Sequence, residues 1–391
     1  MQHEAAERSL VVVGAGILGL AVARELSRRF PERSLMVLER EALVGTQQTG
    51  ANSGVIHAGV YYAPGSLKAR LCVTGAREMY SYCEQRSIPH ERCGKVIVAT
   101  KSREIPQLEA LEARGRANAV PGLRMLSSHQ LTRIEPHARG VAALHSPETG
   151  VVDFGAVARS LAGELEGAGV PVVTSCAVLA VRRSPGALLL RHAHGETRAG
   201  FAVFCAGQDA SRLAVAAGAS ADPRIVGFRG RYRYLRPERR ELVRGLIYPV
   251  PDPRLPFLGV HLTRHVDGNV SLGPTATPEP RTPGDLAWPG TWRMARRFWR
   301  AGGAEIRRSL SERAMTRPAR SYLPGIRTRD LEGGFSGLRA QAVARDGRLV
   351  DDFAVSETEH ALHVRNAPSP AATAAFALAR LIVDRAAPRL D

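Results

Sequence analysis

Leu10-Val11-Val12-Val13-Gly14-Ala15-Gly16-Ile17-Leu18-Gly19-Leu20-Ala21-Val22-Ala23-Arg24-Glu25-Leu26, with Ser34-Leu35-Met36-Val37-Leu38-Glu39 after it, is the stretch that decides the fold. Leu10–Val13 is short, apolar and β-branched, the pattern of a parallel strand buried on both faces. It runs into a G-x-G-x-x-G and then into a segment whose apolar residues recur at helical spacing. A second strand ends on Glu39. Gly14 permits the tight turn, Gly16 lets a pyrophosphate approach the backbone, and Gly19 lets the helix pack closely on the strand. The helix N-terminus offers unpaired N–H groups to phosphate, and Glu39 is placed to accept the hydroxyl hydrogens of an adenosine ribose. A lone glycine motif is a weak sign. Strand, glycines, helix, second strand and terminal acid in register predict a dinucleotide site; the bland alternative is a glycine-rich turn in some other α/β protein.

The 391 residues exceed one typical domain, so two are expected, with material for sizeable cores. The apolar stretch Ala371–Val383 is interrupted by Arg380 and is too short to span a bilayer. The nine residues before Leu10 are too few for a signal or transit peptide. A cytoplasmic chain is expected. Its net charge of +17 invites a nucleic-acid reading, but all but three of its 54 basic residues (Lys68, Lys95 and Lys101) are arginine. That skew reads as codon bias, and the arginines form no run of five or six and no nucleic-acid motif. The five cysteines form no C-x-x-C, so a reduced compartment and no metal site are expected.

After Glu39, Thr49-Gly50-Ala51-Asn52-Ser53-Gly54-Val55-Ile56-His57 crowds small and hydrogen-bonding residues together, a loop that a flat ligand can approach closely. His57 has the pKa range for proton abstraction, although a histidine among glycines is more often a structural hydrogen-bonder. Ser66 caps a helix to about Glu84, and Asp153 caps another through Glu166. Strands are predicted at 94–100, 170–173, 177–182, 187–191 and 201–204; the last exits through Cys205-Ala206-Gly207, where a cofactor could pack closely. From Val226 to Thr277 the pattern turns alternating and aromatic-rich, with Pro249, Pro251, Pro253 and Pro256 in a loop and strands at 257–263 and 269–272. An arginine-rich helical section, 288–322, follows. The end comprises turn-strand units around 336–339 and 349–353, the segment Asn366-Ala367-Pro368-Ser369-Pro370, and a helix over 371–386 whose N-terminus could face an electron-rich ligand.

Three motifs together, Thr49–Tyr62, Leu246–Arg264 and Asn366–Thr373, resemble the FAD-dependent L-2-hydroxyglutarate oxidase/dehydrogenase family of the D-amino-acid-oxidase-like flavoproteins. The likeness runs from Leu10 to about Val383. It implies an α/β fold: a Rossmann-like FAD-binding domain (1–92, 146–222 and 325–391) with an inserted, mostly antiparallel substrate domain (93–145 and 223–324). The implied reaction is oxidation of L-2-hydroxyglutarate to 2-oxoglutarate by hydride transfer from Cα to flavin N5, with O₂ or a quinone as acceptor. Family members are cytosolic, membrane-associated or mitochondrial, which leaves peripheral attachment to the inner membrane open. The likeness implies that Gly337-Leu338-Arg339 supplies the arginine for the substrate carboxylate, suited by its planar fork. His57 becomes a base or a flavin contact, with His261 next. Tyr62, Arg231, Tyr248 and His261 join Arg339 at the substrate. The flavin is expected against Gly14, Gly16, Ile17, Leu18, Gly19, Glu39, Arg40, Thr49, Asn52, Ser53, Gly54, Val178, Ala206, Gly207, Arg339, Pro368, Ala371, Ala372 and Thr373. The chain departs from the family's H-Q-T-G-H-N-S-G at Gln47 and Ala51, and Thr275 stands where asparagine is common. Oxidation of a related hydroxy acid, or of an amine such as sarcosine or glycine, therefore stays open, as does a non-catalytic flavin- or RNA-binding protein.

Overall fold

The structure, a computed structural model, describes residues 6–253 and 258–390. Pro256 and Phe257, expected in the proline-rich loop and at the start of a strand, lie outside the described residues. Strand Ala6–Val13 is central in the first layer. It pairs in parallel with Leu35–Leu38 (Leu10 beside Leu35) and with Gly195–Phe204 (Val13 beside Phe204). Val172–Val173 and Ala361–Asn366 extend the parallel order outward, and the hairpin Val178–Ser184/Ala187–His192 adds antiparallel strands. The unbroken apolar run has a simple cause. Leu10 and Val12 enter the core that holds helix Ile17–Arg29, while Val11 and Val13 enter the core on the opposite face.

Helix Ile17–Arg29 buries Ile17, Leu20, Ala21, Val22, Ala23 and Leu26. It packs with the helices Phe154–Gly167 and Ala375–Ala386. Each large side chain so buried contributes roughly 1.5–3 kcal/mol. The helix stops at Phe30, which leaves helical geometry (φ −130°, ψ 63°) ahead of Pro31. Ser66 and Asp153 cap their helices as expected, accepting from Ala69 N at 3.2 Å and Gly155 N at 2.8 Å.

The second layer is a nine-stranded sheet. Its longest pair, Arg224–Leu235 and Leu331–Val343, runs antiparallel with Phe228 opposite Arg339. The return to the first layer thus comes after Val343 and not at residue 325, because this long pairing holds 331–343 in the second sheet. Lys95–Ala99 lies parallel to Leu246–Pro249, which pairs with His261–Arg264. Alternation divides these strands. Val96, Val98, Ile247 and Leu262 face a core with Met315 and Tyr322, while Lys95, Ile97, Tyr248 and His261 face the first layer. Two local expectations shift. The strand expected over 349–353 is Ala354–Thr358, and the last helix begins at Ala375, because the amides of Ala371 and Ala374 bond to the carbonyls of Pro368 and Pro370 in a turn. Among the described residues no helix is long and apolar enough to cross a membrane.

Candidate active site

A cavity of about 990 Å³ runs from the glycine turn to the inner face of the second sheet. That is the upper end of the usual range for ligand pockets. At its first end Gly14 (φ +105°) turns the chain, and a Cβ there would collide with the carbonyl oxygen of Cys205. A Cβ on Gly19 would overlap the carbonyl oxygen of Gly14. Gly16 differs: its added Cβ would meet only Thr49 Oγ1, at 3.2 Å, so this position is open on the cavity side. The helix has no side-chain N-cap, and Thr49 Oγ1 accepts the hydrogen of Ile17 N at 3.0 Å. Glu39 is buried and accepts from Ala15 N (2.6 Å) and Glu41 N (2.9 Å), which fixes its carboxylate at the cavity wall. Arg40 lies beside it, paired with Asp209 at 2.8 Å.

The middle of the cavity is walled by the 47–54 loop. Asn52 ties this loop together, donating to the carbonyls of Gln48 and Thr49 and accepting from Gly54 N at 2.7 Å. Gln48 Oε1 accepts from Ala340 N at 3.3 Å and its amide nitrogen would lie 2.8 Å from a Cβ at Gly207, so Gln48 bridges the two layers. Ala51, at one of the two positions where the chain departs from the family motif, abuts Gly337 so closely that a Cβ at Gly337 would overlap its carbonyl oxygen.

At the far end stand His57, Tyr61, Tyr62, Tyr248, His261 and Arg339. His57 follows strand Val55–Ile56; its N–H donates to Thr373 Oγ1 (3.1 Å) and its Nε2 lies 3.1 Å from Ser369 Oγ. Thr373 thereby joins the His57 strand to the turn before the last helix. His57 Nδ1 has no hydrogen-bond partner among the described residues. That nitrogen is enclosed, although the residue lines the cavity. Burial first, then the nearby charges of Lys95, His261 and Arg339, push its pKa down to about 3. His261 is likewise pushed down to about 3, by burial and by Arg339 and Lys95, against a raising contact with the Gly259 carbonyl. That carbonyl lies 2.7 Å from Nδ1, which must carry the hydrogen, so Nε2 is an acceptor. The His261 ring stacks on Tyr248 at 3.8 Å between centroids.

The structure brings nearly all the sequence-predicted residues to this cavity: the glycine turn, Glu39, Arg40, Thr49, Asn52, Ser53, Val178, Ala206, Gly207, Pro368, Ala371–Thr373, His57, Tyr62, Tyr248, His261 and Arg339. Two stand elsewhere. Gly54 (φ +67°) is a turn residue packed against the Val152 carbonyl. Arg231 is exposed and points to the carbonyl of Ser309 at 3.4 Å, because alternation sends its neighbours Gly230 and Tyr232 to the cavity instead. Sequence reasoning missed Gln48, Tyr61 and Ser369, which also line the cavity.

The residues present fit a dinucleotide that carries a flat ring: an open phosphate cradle at Gly16, an acid at the second strand's end, and a long cavity beyond. Known proteins agree. The family pattern of FAD dependent oxidoreductases (DAO) matches residues 9–385. The mitochondrial L-2-hydroxyglutarate dehydrogenase of Homo sapiens is 41% identical over 412 residues, covering 98% of this chain and 89% of that protein. The L-2-hydroxyglutarate dehydrogenase of Indibacter alkaliphilus is 39% identical over 394 residues, covering 97% and 99%. Among solved structures, the dithionite-reduced L-α-glycerophosphate oxidase of Mycoplasma pneumoniae with FAD bound superposes with a TM-score of 0.79 at 23% identity, covering 96% of this chain and 94% of that one. Glycine oxidase from Geobacillus kaustophilus gives 0.73 at 18% identity, covering 98% and 95%.

Proposed function

The chain belongs to the FAD-dependent oxidoreductases of the DAO family and, within them, to the L-2-hydroxyglutarate dehydrogenases; from that premise we propose that it oxidises L-2-hydroxyglutarate to 2-oxoglutarate with FAD. The observation that carries the reading is one continuous cavity with a phosphate cradle at one end and Arg339, His57 and His261 at the other. The phosphates belong at Gly14–Gly19 and the ribose at Glu39, with Ala206, Gly207 and Ala371–Thr373 left to hold the ring system. Bound FAD supplies the two-electron acceptor for the hydrogen that leaves Cα.

The chain's own residues do the rest. Arg339 takes the α-carboxylate through its planar fork, which fixes Cα in place. His57 is neutral throughout the physiological range, because its pKa lies far below it. Nδ1 is enclosed, so Nε2, which lies 3.1 Å from the cavity-lining Ser369 Oγ, is the nitrogen that would accept from the substrate hydroxyl. The hydroxyl proton passes to that nitrogen as the carbonyl forms at Cα. His261 Nε2 is the alternative acceptor for that one proton. Tyr248 and Tyr62 close the site against water.

The electrons go on to O₂ or a quinone. A quinone would be met at a membrane, and a peripheral contact there is supported by helices Pro289–Arg297 and Trp299–Leu310. They expose Trp292, Trp299, Ile306 and Leu310 beside Arg293, Arg296, Arg300 and Arg307. Anaerobic titration tests the main reading. L-2-Hydroxyglutarate should bleach the flavin absorbance, and the D-enantiomer, glycine and sarcosine should not. Bleaching by the amines alone would place the protein among amine oxidases instead.

A further inference from the structure

We propose that Ser369 Oγ relays the hydroxyl proton of the substrate to His57 Nε2; this rests on the functional reading above, in which His57 is the base. The geometry carries the first part of the argument. Ser369 is exposed, lines the cavity and places its Oγ 3.1 Å from His57 Nε2. His57 is anchored behind it: its backbone N–H donates to Thr373 Oγ1 at 3.1 Å, and that hydroxyl donates to the Val55 carbonyl at 3.3 Å. Between Ser369 and Thr373 runs the turn in which the amides of Ala371 and Ala374 bond to the carbonyls of Pro368 and Pro370. One short turn thus sets the serine and the backbone of the histidine against each other.

The second part is a count of lone pairs. A neutral imidazole has one nitrogen that carries hydrogen and one that is bare. Nδ1 of His57 is enclosed and has no hydrogen-bond partner among the described residues, so Nε2 is the nitrogen that serves the cavity. When Nε2 is bare, its single in-plane lone pair accepts the hydrogen of the Ser369 hydroxyl. The substrate hydroxyl therefore meets a nitrogen already occupied. Ser369 Oγ keeps two lone pairs of its own, enough for the Tyr62 hydroxyl that also faces it and for the substrate. The step balances as follows: the Cα–H pair leaves as hydride to the flavin, and the substrate O–H pair becomes the second bond of the carbonyl. The released proton joins Ser369 Oγ while the serine's own hydrogen passes to Nε2, which leaves the serine as it began and His57 as imidazolium. Burial and the nearby cations make that imidazolium a poor resting state, which favours return of the proton through Ser369 once product has left.

The test compares Ser369→Thr, which keeps a hydroxyl, with Ser369→Val, which has the same shape without one and fills the place a water could take. Anaerobic reduction by L-2-hydroxyglutarate is followed by stopped flow and read per bound flavin, so that partial loss of FAD does not decide the matter. Ser369→Val should slow reduction by about a hundredfold, the lower end of general-base assistance. Its half-saturation and its affinity for 2-oxoglutarate should stay within about threefold of wild type, since binding is not what the hydroxyl serves. Ser369→Thr should recover most of the rate. In His57→Ala/Ser369→Val reduction should be no slower than in His57→Ala alone, because the two residues serve one proton. A serine that only supports the fold would make the two losses multiply. Multiplying losses, equal losses in the threonine and valine variants, or a Ser369→Val rate within about threefold of wild type would each overturn the relay while the activity stands. A wild-type flavin that L-2-hydroxyglutarate does not bleach would remove the functional reading and the relay with it.

Discussion

Gly19 lies so close to Gly14 that a Cβ on the first would overlap the carbonyl oxygen of the second. Gly16, between them, has extended geometry (φ −74°, ψ 170°) and free space on its cavity side except for Thr49 Oγ1. The three glycines therefore separate folding from binding. Gly16→Val should fold with a near-normal far-ultraviolet spectrum and lose FAD, because its branches fill the phosphate position. Gly19→Val should lose both, since the helix cannot seat on the strand. Full flavin content in purified Gly16→Val would refute the cradle.

Arg339 is expected to hold the α-carboxylate by two parallel hydrogen bonds, worth about 1.5–3 kcal/mol as contacts to a charged group. Lysine keeps the charge and loses the fork. Arg339→Lys should raise half-saturation for flavin reduction by roughly ten- to a hundredfold, with flavin content unchanged. If half-saturation stays at the wild-type value, the α-carboxylate is held elsewhere.

Arg231 makes the opposite case. It is on the same sheet as Arg339, but one residue of alternation turns it to solvent and to the Ser309 carbonyl. Arg231→Ala should leave both half-saturation and the rate of flavin reduction within about twofold of wild type, the range expected of a surface change. A tenfold loss of substrate affinity would mean that this strand rearranges on binding.

These cases show where the sequence was legible. The strand–glycine–helix unit could be read because its logic is local: turn, phosphate approach and packing are set within thirty residues. Ser66 and Asp153 announced their helices for the same reason, since a cap needs only its own next turn. Arg231 could not be placed, because which face a strand residue takes depends on register with Leu331–Val343, a hundred residues on. The burial of Lys95 was equally illegible, because it comes from pairing with 246–249 and 142–146. The final helix was set too early because Ala371–Ala374 have helical composition, while the carbonyls of Pro368 and Pro370 bind two of their amides.

The buried Lys95 should also leave a mark on stability. Its pKa in the folded chain is about 7, below the ordinary 10.5. Below pH 7 folded and unfolded chains both carry the proton, and the full cost of burying the charge is present. Between about 7 and 10.5 the unfolded chain holds a proton that the folded chain has released, so wild-type stability gains as pH rises. Lys95→Met should thus melt higher than wild type by at least roughly 2–4 °C at pH 6, and the gap should close toward pH 10. An equal gap at both pH values would show that packing, not charge, sets the difference.

His57 is the base in this reading. A hydroxyl proton is too weakly acidic to leave unaided near neutrality, so an acceptor must stand beside it. General-base assistance is worth about a hundred- to ten-thousandfold. His57→Ala should slow anaerobic flavin reduction by that order, with FAD content and 2-oxoglutarate affinity largely kept. The pH dependence gives a second readout. With the pKa pushed down to about 3, the acid limb for capture of substrate by free enzyme should be absent near 6.5, and the rate should hold level down to about pH 5. Stability runs the same way: the unfolded imidazole takes a proton near 6.5, the folded one only near 3, so the contribution is complete above 6.5 and lost as pH falls. His57→Ala should therefore lose less stability than wild type between pH 6.5 and 4, the other buried histidines, His261 (about 3) and His145 and His363 (about 4) among them, contributing with the same sign. A variant that reduces its flavin within a few-fold of wild type at every pH would make His57 structural. The base would then be His261, whose Nε2 is already held as an acceptor by the Gly259 carbonyl on the other side of the ring.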